Sequence, residues 1–351
     1  MRVLGPRALG RATLARQLLL DRAPLGAAAA LDHLVGLQAQ APDAPYVALW
    51  SRLADFRPDG LARLVEDRQA VRTWLMRTTI HLVTATDAVS LAPLLRRVHQ
   101  GNFSGLAARQ IDGVDRAELA AAGAAVLAER PRTRAELGRL LAPRWPAHDP
   151  DALALAITYL LPLVQVPPRG LWRRGGRAAT TPLEVWLGGL SAPPASVDGL
   201  LLRYLAAFGP ASVRDAQVWS GLTRLAEVFD RLRPGLRTAR DEHGVELYDL
   251  PDAPLPDPDT PAPPRFLPEY DNVLLSHADR TRVLPAGRPV PLPAGNGGST
   301  GTFLVDGSVA GTWRLHRTPA PHLTLAEDGP VPREHRAALD AETAALLEFL
   351  S

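Results

Sequence analysis

The 351-residue chain has no cysteine and no lysine, so all 39 of its basic residues are arginines. Without cysteine there is no thiolate nucleophile, cysteine-ligated zinc, iron–sulfur cluster or disulfide. Without lysine neither a P-loop nor a Schiff base can be built. The nine histidines are dispersed, with no HxH or HExxH spacing, so no metal site and no cofactor are expected. Long apolar runs are missing too. Arg11 and Arg16 interrupt the start before a signal-like core forms, and the apolar stretch 156–166 is too short to cross a bilayer, which points to the cytoplasm.

What remains is an ordinary globular composition, 46% hydrophobic and 22% charged, enough for two or three domains and a sizeable core. The net charge of +2 does not by itself announce nucleic acid. Arginine is nevertheless the side chain best shaped for bidentate phosphate contacts, so where the arginines cluster matters more than their total.

One stretch stands out, LVGLQAQAPDAPYVALWSRL at 34–53. Pro42 and Pro45 hinder helix continuation after Gln38 and Gln40, so this segment reads as extended, with both amides facing one side. On a helix they would diverge by about 200°. Beyond Pro45 the spacing of Tyr46, Trp50 and Leu53 predicts a helix.

Taken in order, the chain repeats one pattern three times. Helices near Leu14–Leu20, Ala27–Val35, Tyr46–Leu53 and after Pro58 precede strands Val71–Met76 and Thr79–Thr84 and a further helix. The second block shows an Asp115/Glu118 cap pair, a Thr133/Glu136 capping box and Asp149 before Pro150. Its hairpin is VQVPPRGLWRRGGR, where Arg169, Arg173, Arg174 and Arg177 gather beside Trp172 and read either as contacts to a phosphate backbone or as a solvated loop. The third block has a helix near Asp198–Phe208, a Ser212/Asp215 box, a turn at Gly221 and strands Arg237–Asp241 and Val245–Asp249.

Helices followed by a hairpin are the order of a winged helix. The expected architecture is therefore α+β: winged-helix units at 1–110, 111–192 and 193–250, an extended Pro/Asp-rich linker at 251–268 and a C-terminal β-rich module at 269–351. That module contains a glycine-rich stretch at Gly295–Gly301, a hairpin turning at Asp306 and Gly307, a strand near His322–Leu325 and a last helix burying Leu339, Leu346, Leu347 and Leu350.

The elements LARQLLL, LVGLQAQAPDAPYVALWSRL, MRTTIHLV, PEYDNVLLSHADR and LVDGSVAGTWR together resemble the winged-helix DNA glycosylases of the AlkZ and YcaQ type, closest to the azinomycin-resistance branch. The resemblance implies a C-shaped cleft around duplex DNA and monofunctional excision of N7-alkylated purines, including those joined in interstrand crosslinks. It also implies that Gln38 and Gln40 are the catalytic pair, since the family's signature is a glutamine, an apolar residue and then a second glutamine, or an aspartate in the other branch, and Gln38, Ala39 and Gln40 match the two-glutamine form. No obligate protein partner is implied and a monomer is expected.

Other positions keep two readings each. His81, alternating with Ile80 and Leu82, faces the cleft or is a hydrogen-bonded structural histidine, and Arg77 reaches phosphate or caps the strand. Asp271 and Asn272 serve catalysis, a turn or an interdomain hydrogen bond. Thr312, Trp313 and Arg314 enter the minor groove as a hairpin tip, as the resemblance suggests, or are ordinary sheet. Trp50 and Trp219 lie on apolar helix faces and read as core. A winged-helix DNA-binding regulator without catalysis is the alternative function, and it has no use for a paired amide lining a cleft.

Overall fold

The computed structural model describes residues 2–291 and 300–351, the side chains of residues 106 and 107 excepted. Its strands are β1 (Arg2–Leu4), β2 (Leu37–Gln38), β3 (Ala70–Trp74), β4 (Ile80–Thr84), β5 (Arg132–Thr133), β6 (Leu163–Gln165), β7 (Ala179–Pro182), β8 (Arg237–Asp241), β9 (Glu246–Asp249), β10 (Arg265–Leu267), β11 (Thr300–Val305), β12 (Ser308–His316) and β13 (His322–Glu327). They build three sheets ordered β2-β4-β3-β6-β7-β5, β1-β8-β9 and β10-β11-β12-β13.

The first sheet merges the hairpins of the first two blocks, because β3 pairs antiparallel with β6 at Arg72–Gln165 and Thr73–Val164. Its two faces follow from strand alternation. Val71, Val83 and Val164 pack toward Tyr204, Phe208 and Trp219 of the third block. Leu37, Ile80 and Leu82 pack on the other side against Tyr46 and Leu49 of the helix Ala44–Arg52.

Local signals account for most helix boundaries. Asp115, Thr133, Asp149, Ser196 and Ser212 all accept hydrogen bonds from first-turn amides, with complete capping boxes at Thr133/Glu136 and Ser212/Asp215. Gly221, at φ 79°, ends the helix Val213–Ser220 in the left-handed conformation.

Three expectations need correction. The first helix spans Pro6–Arg16 rather than Leu14–Leu20, because Pro6 suits a first helical turn and the chain leaves the helix at Gln17 and Leu18. Its arginines tie distant parts together: Arg16 pairs with Asp249, while Arg11 pairs with Asp306 and donates to the Thr260 carbonyl. Next, the stretch 251–268 is not linker throughout. Phe266 is fully buried, and β10 pairs with β11 from Arg265 to Leu267. Finally, in the C-terminal helix Arg333–Leu350, Leu347 is only half-buried, and Phe349 instead packs against Trp50 and Trp172. The glycine-rich stretch from Gly295 lies, as far as residue 299, outside the described residues. Among the described residues no helix is long and apolar enough to cross a membrane.

One buried ion pair joins the C-terminal part to the first block. Both terminal nitrogens of Arg52 donate to the Asp271 carboxylate, at 2.9 and 2.8 Å, and both side chains are 0% exposed. Removing one partner strands the other charge in the interior, so Arg52→Ala is expected to cost about 3–5 kcal/mol in denaturant unfolding. Arg144→Ala, which breaks the exposed pair with Glu118, is the control and should leave the midpoint where it was.

Candidate active site

Gly36 lets the Gln38 strand approach its neighbour. At φ 84°, it lies where a Cβ would meet Val83 Cγ1 at 2.4 Å. Leu37 and Gln38 then align with Leu82 and His81, and the Ala39 amide donates to the Ile80 carbonyl at 2.7 Å. Because hydrogen-bonded and non-hydrogen-bonded pairs alternate along an antiparallel ladder, Gln38 and His81 occupy a non-hydrogen-bonded pair, with Cα atoms about 4.5 Å apart. Their side chains share one face in a row with Thr73.

This geometry turns the Gln38 N–H outward from an edge strand, where it needs another acceptor. Asn272 supplies it. Its Oδ1 accepts from Gln38 N at 3.3 Å while its Nδ2 donates to the Gly36 carbonyl at 2.8 Å. The side-chain amide thus does what a peptide group of a further strand would do. Asp271, the partner of Arg52, caps the short helix Asn272–Leu275 and fixes where Asn272 stands. Of the readings open for Asp271 and Asn272, the structure displays the interdomain hydrogen bond.

The Gln38 side chain is held independently. Arg77 Nη2 donates to its Oε1 at 2.8 Å, and Arg77 Nη1 donates to the Trp219 carbonyl at 2.6 Å. Arg77 and Thr78 both have positive φ, 56° and 60°, in the turn between β3 and β4. Such backbone persists where surroundings over-determine it, and here they do. Leu75 N bonds the Thr79 carbonyl, His99 bonds the Leu75 carbonyl, and Asn102 bonds Thr78. Burial, and after it the charge of Arg280, lowers the Arg77 pKa to about 10, so the guanidinium stays charged at neutral pH.

His81 is 1% exposed and its Nδ1 lies 2.9 Å from the Thr79 carbonyl, so that nitrogen carries the proton. Burial first, and the Arg77 charge second, push its pKa down to about 3. The ring beside Gln38 is therefore neutral at neutral pH. His81 is both of the things the sequence allowed, a hydrogen-bonded histidine and a neighbour of the glutamine.

Gln38 and Gln40 are placed differently. Gln38 is 8% exposed, whereas Gln40 lies beyond the end of β2, is exposed, and reaches the Ile80 N–H with its Oε1 at 3.5 Å, the limit of a hydrogen bond. Asp43 follows, half-buried, its pKa raised by burial against the opposing pull of the Arg173 backbone N–H and of Arg317, Arg173 and Arg72. Within the second hairpin, Arg173, Arg174 and Arg177 are exposed and Arg169 is half-buried. Arg173 also donates to the Ser351 carbonyl, and Trp172 is packed between Tyr46 and Phe349 at 4.9 and 5.0 Å. Thr312, Trp313 and Arg314 need correction. They lie inside β12 and not at a tip, and Trp313 is 3% exposed, its indole N–H bonded to the Leu267 carbonyl. The turn of that hairpin is at Asp306–Gly307, engaged by Arg7 and Arg11, while the opposite β12–β13 connection carries Arg317 toward Asp43.

The sequence matches the family described as DNA glycosylase AlkZ-like over residues 31–349. The chain belongs to that family. The fold agrees: it superposes on the Streptomyces sahachiroi DNA glycosylase AlkZ with a TM-score of 0.79 at 20% identity, covering 99% of this chain and 98% of that one. No curated protein matches the chain in sequence. For an AlkZ-like chain, sequence reasoning missed Arg280 and Asp43 as neighbours of the site and left Asn272 undecided. All three lie in stretches that carry the family resemblance, Asp43 in LVGLQAQAPDAPYVALWSRL and Asn272 and Arg280 in PEYDNVLLSHADR, and that was their only signal.

Buried neutral histidines make acid a denaturant. His81 and His277 both titrate at about 3 when folded against 6.5 as ordinary groups, so the folded state resists a proton that the unfolded chain accepts. Stability is thus fully present above 6.5 and is lost as pH falls toward the folded values. The urea midpoint should drop between about pH 7 and about pH 4, less steeply in His81→Asn; parallel slopes would show that His81 is not held neutral.

Proposed function

We propose that this AlkZ-like chain is a monofunctional DNA glycosylase that hydrolyses the N-glycosidic bond of N7-alkylated purines, with bulky adducts and interstrand crosslinks as its preferred lesions. The observation that carries the reading is Gln38: its main chain is held by Asn272, its amide oxygen by Arg77, and its cross-strand neighbour His81 is neutral. N7-alkylation already makes the purine a cationic leaving group, so little general acid is needed. What is needed is a positioned carbonyl oxygen that accepts from the attacking water and faces the oxocarbenium sugar. Gln38 Oε1 retains a lone pair beyond the one Arg77 uses, and the exposed Gln40 offers a second amide at the surface end of the same segment.

In this reading the three helix-and-hairpin blocks act as winged-helix units lining a C-shaped cleft, with Arg169, Arg174 and Arg177 on the DNA backbone. An exposed Gln40 suits an adduct too large to be swallowed into a closed pocket. With no lysine available for a Schiff base, the product is an abasic site and not a nicked strand.

The test is base release from duplexes carrying N7-methylguanine and, separately, an azinomycin-type crosslink. Wild type should release both, the crosslink faster, leaving strands intact until alkali is added. The Gln38→Ala, Gln40→Ala double variant should be slower by at least about 100-fold with duplex binding retained. No release by wild type, with binding intact, would instead make the chain a DNA-binding regulator on a glycosylase scaffold.

A further inference from the structure

The turn carrying Arg77 and the segment that follows Asn272 both bond the helix Val213–Ser220, Arg77 at the Trp219 carbonyl and the Ala278 N–H at the Asp215 carboxylate, which brings the cation of Arg280 into the neighbourhood of Arg77. Arg77 spends one donor on Gln38 and one on the Trp219 carbonyl, which leaves further N–H groups unused. Arg280 is half-buried, its Nε is enclosed without an acceptor, and its side chain makes no hydrogen bond or ion pair among the described residues. Its charge nevertheless falls on Arg77. Two fully enclosed arginines are neutralised by acids, Arg16 by Asp249 and Arg52 by Asp271, whereas Arg72 has only the Gln165 amide among the described residues. Enclosing a cation without a partner is costly, and placing two side by side is costlier. An anion supplied from outside relieves both.

We propose that Arg77 and Arg280 seat one backbone phosphate of the duplex, and that Arg77, through its bond to Gln38, is the positioning residue that ties phosphate capture to the orientation of the reacting amide. The proposal rests on the glycosylase reading and deepens it. A phosphate between the two guanidiniums accepts from Arg280 and from the unused donors of Arg77, while the Gln38 and Trp219 contacts stay in place. Phosphate thereby orders Arg77, and Arg77 fixes which end of the Gln38 amide faces the sugar. The strained turn is consistent with this role, because its supports at Leu75, His99 and Asn102 keep Arg77 aimed at Gln38.

The experiment compares Arg280→Gln, Arg280→Lys, Arg77→Gln and Arg77→Lys with wild type, using full-length protein. Binding to an undamaged duplex is followed by anisotropy across a salt series, and base release from an N7-methylguanine duplex by single turnover at saturating enzyme. Arg280→Gln should weaken binding roughly 5- to 10-fold and flatten the slope of log K against log salt by about 0.9, with Arg280→Lys restoring both. Because the Arg280 side chain bonds nothing among the described residues, both variants should melt with wild type. Arg77→Gln should flatten the slope and also slow release at saturation by at least about 10-fold. Arg77→Lys should recover binding but not rate, since lysine keeps the charge and loses the fork that holds Gln38.

An unchanged slope in a folded Arg280→Gln overturns the phosphate seat, and an unchanged saturating rate in Arg77→Gln overturns the coupling. If wild type excises and the slope does not move, this proposal fails alone. A flattened slope with no excision by wild type upholds the seat and removes the glycosylase reading. A wild type that does not bind duplex DNA overturns both.

Discussion

The buried Arg52–Asp271 ion pair is the constraint on which the candidate site depends. It fastens the end of the helix Ala44–Arg52 to the residue before Asn272, and Asn272 in turn completes the open edge of the strand carrying Gln38. Arginine suits this task because its planar fork satisfies both carboxylate oxygens at once. Such a pair contributes little net stability against a well-packed apolar alternative. What it supplies is position: the pair cannot form unless two segments 219 residues apart along the chain arrive in register.

Distance along the chain also explains how much could be read from sequence. Caps and turns are local, so Thr133/Glu136, Ser212/Asp215 and Gly221 were legible as residue patterns and stand where expected. The alternation of His81 with Ile80 and Leu82 likewise marked a two-faced strand. The union of the first two hairpins into one sheet was not legible, because pairing of Arg72 with Gln165 leaves no periodic trace. The fate of Thr312–Arg314 was within reach: a Trp between a Thr and an Arg reads as a groove-probing tip or as a core strand, and the turn at Asp306–Gly307, legible in the sequence, already places these residues within the following strand.

The site itself was half legible. Gln38 and Gln40 were visible because two prolines follow them and because the surrounding run resembles a known family. Their inequality was not visible, since both lie in the same short segment. It arises where β2 ends: Gln38 keeps its place in the ladder opposite His81, and Gln40, one residue past the last paired amide, competes for the Ile80 N–H with its side chain. One amide is therefore built into the sheet and the other can adjust to what approaches it.

This division bears on an electrostatic difficulty in the proposed reaction. An oxocarbenium sugar develops positive charge near Gln38, yet the group holding Gln38 is the charged Arg77, with Arg280 behind it. Two unit charges at 4 Å interact by about 4 kcal/mol at an effective dielectric of ~20, and at twice that distance by about 2 kcal/mol. A barrier increment of about 2 kcal/mol slows a reaction roughly 30-fold. Free protein thus presents a cationic wall that opposes the transition state. On the proposed reading, a backbone phosphate seated on the same two arginines offsets one of their two charges without disturbing the hydrogen bond that orients Gln38. On that reading the site gains competence when DNA is engaged, and an arginine can serve a reaction whose transition state is itself a cation.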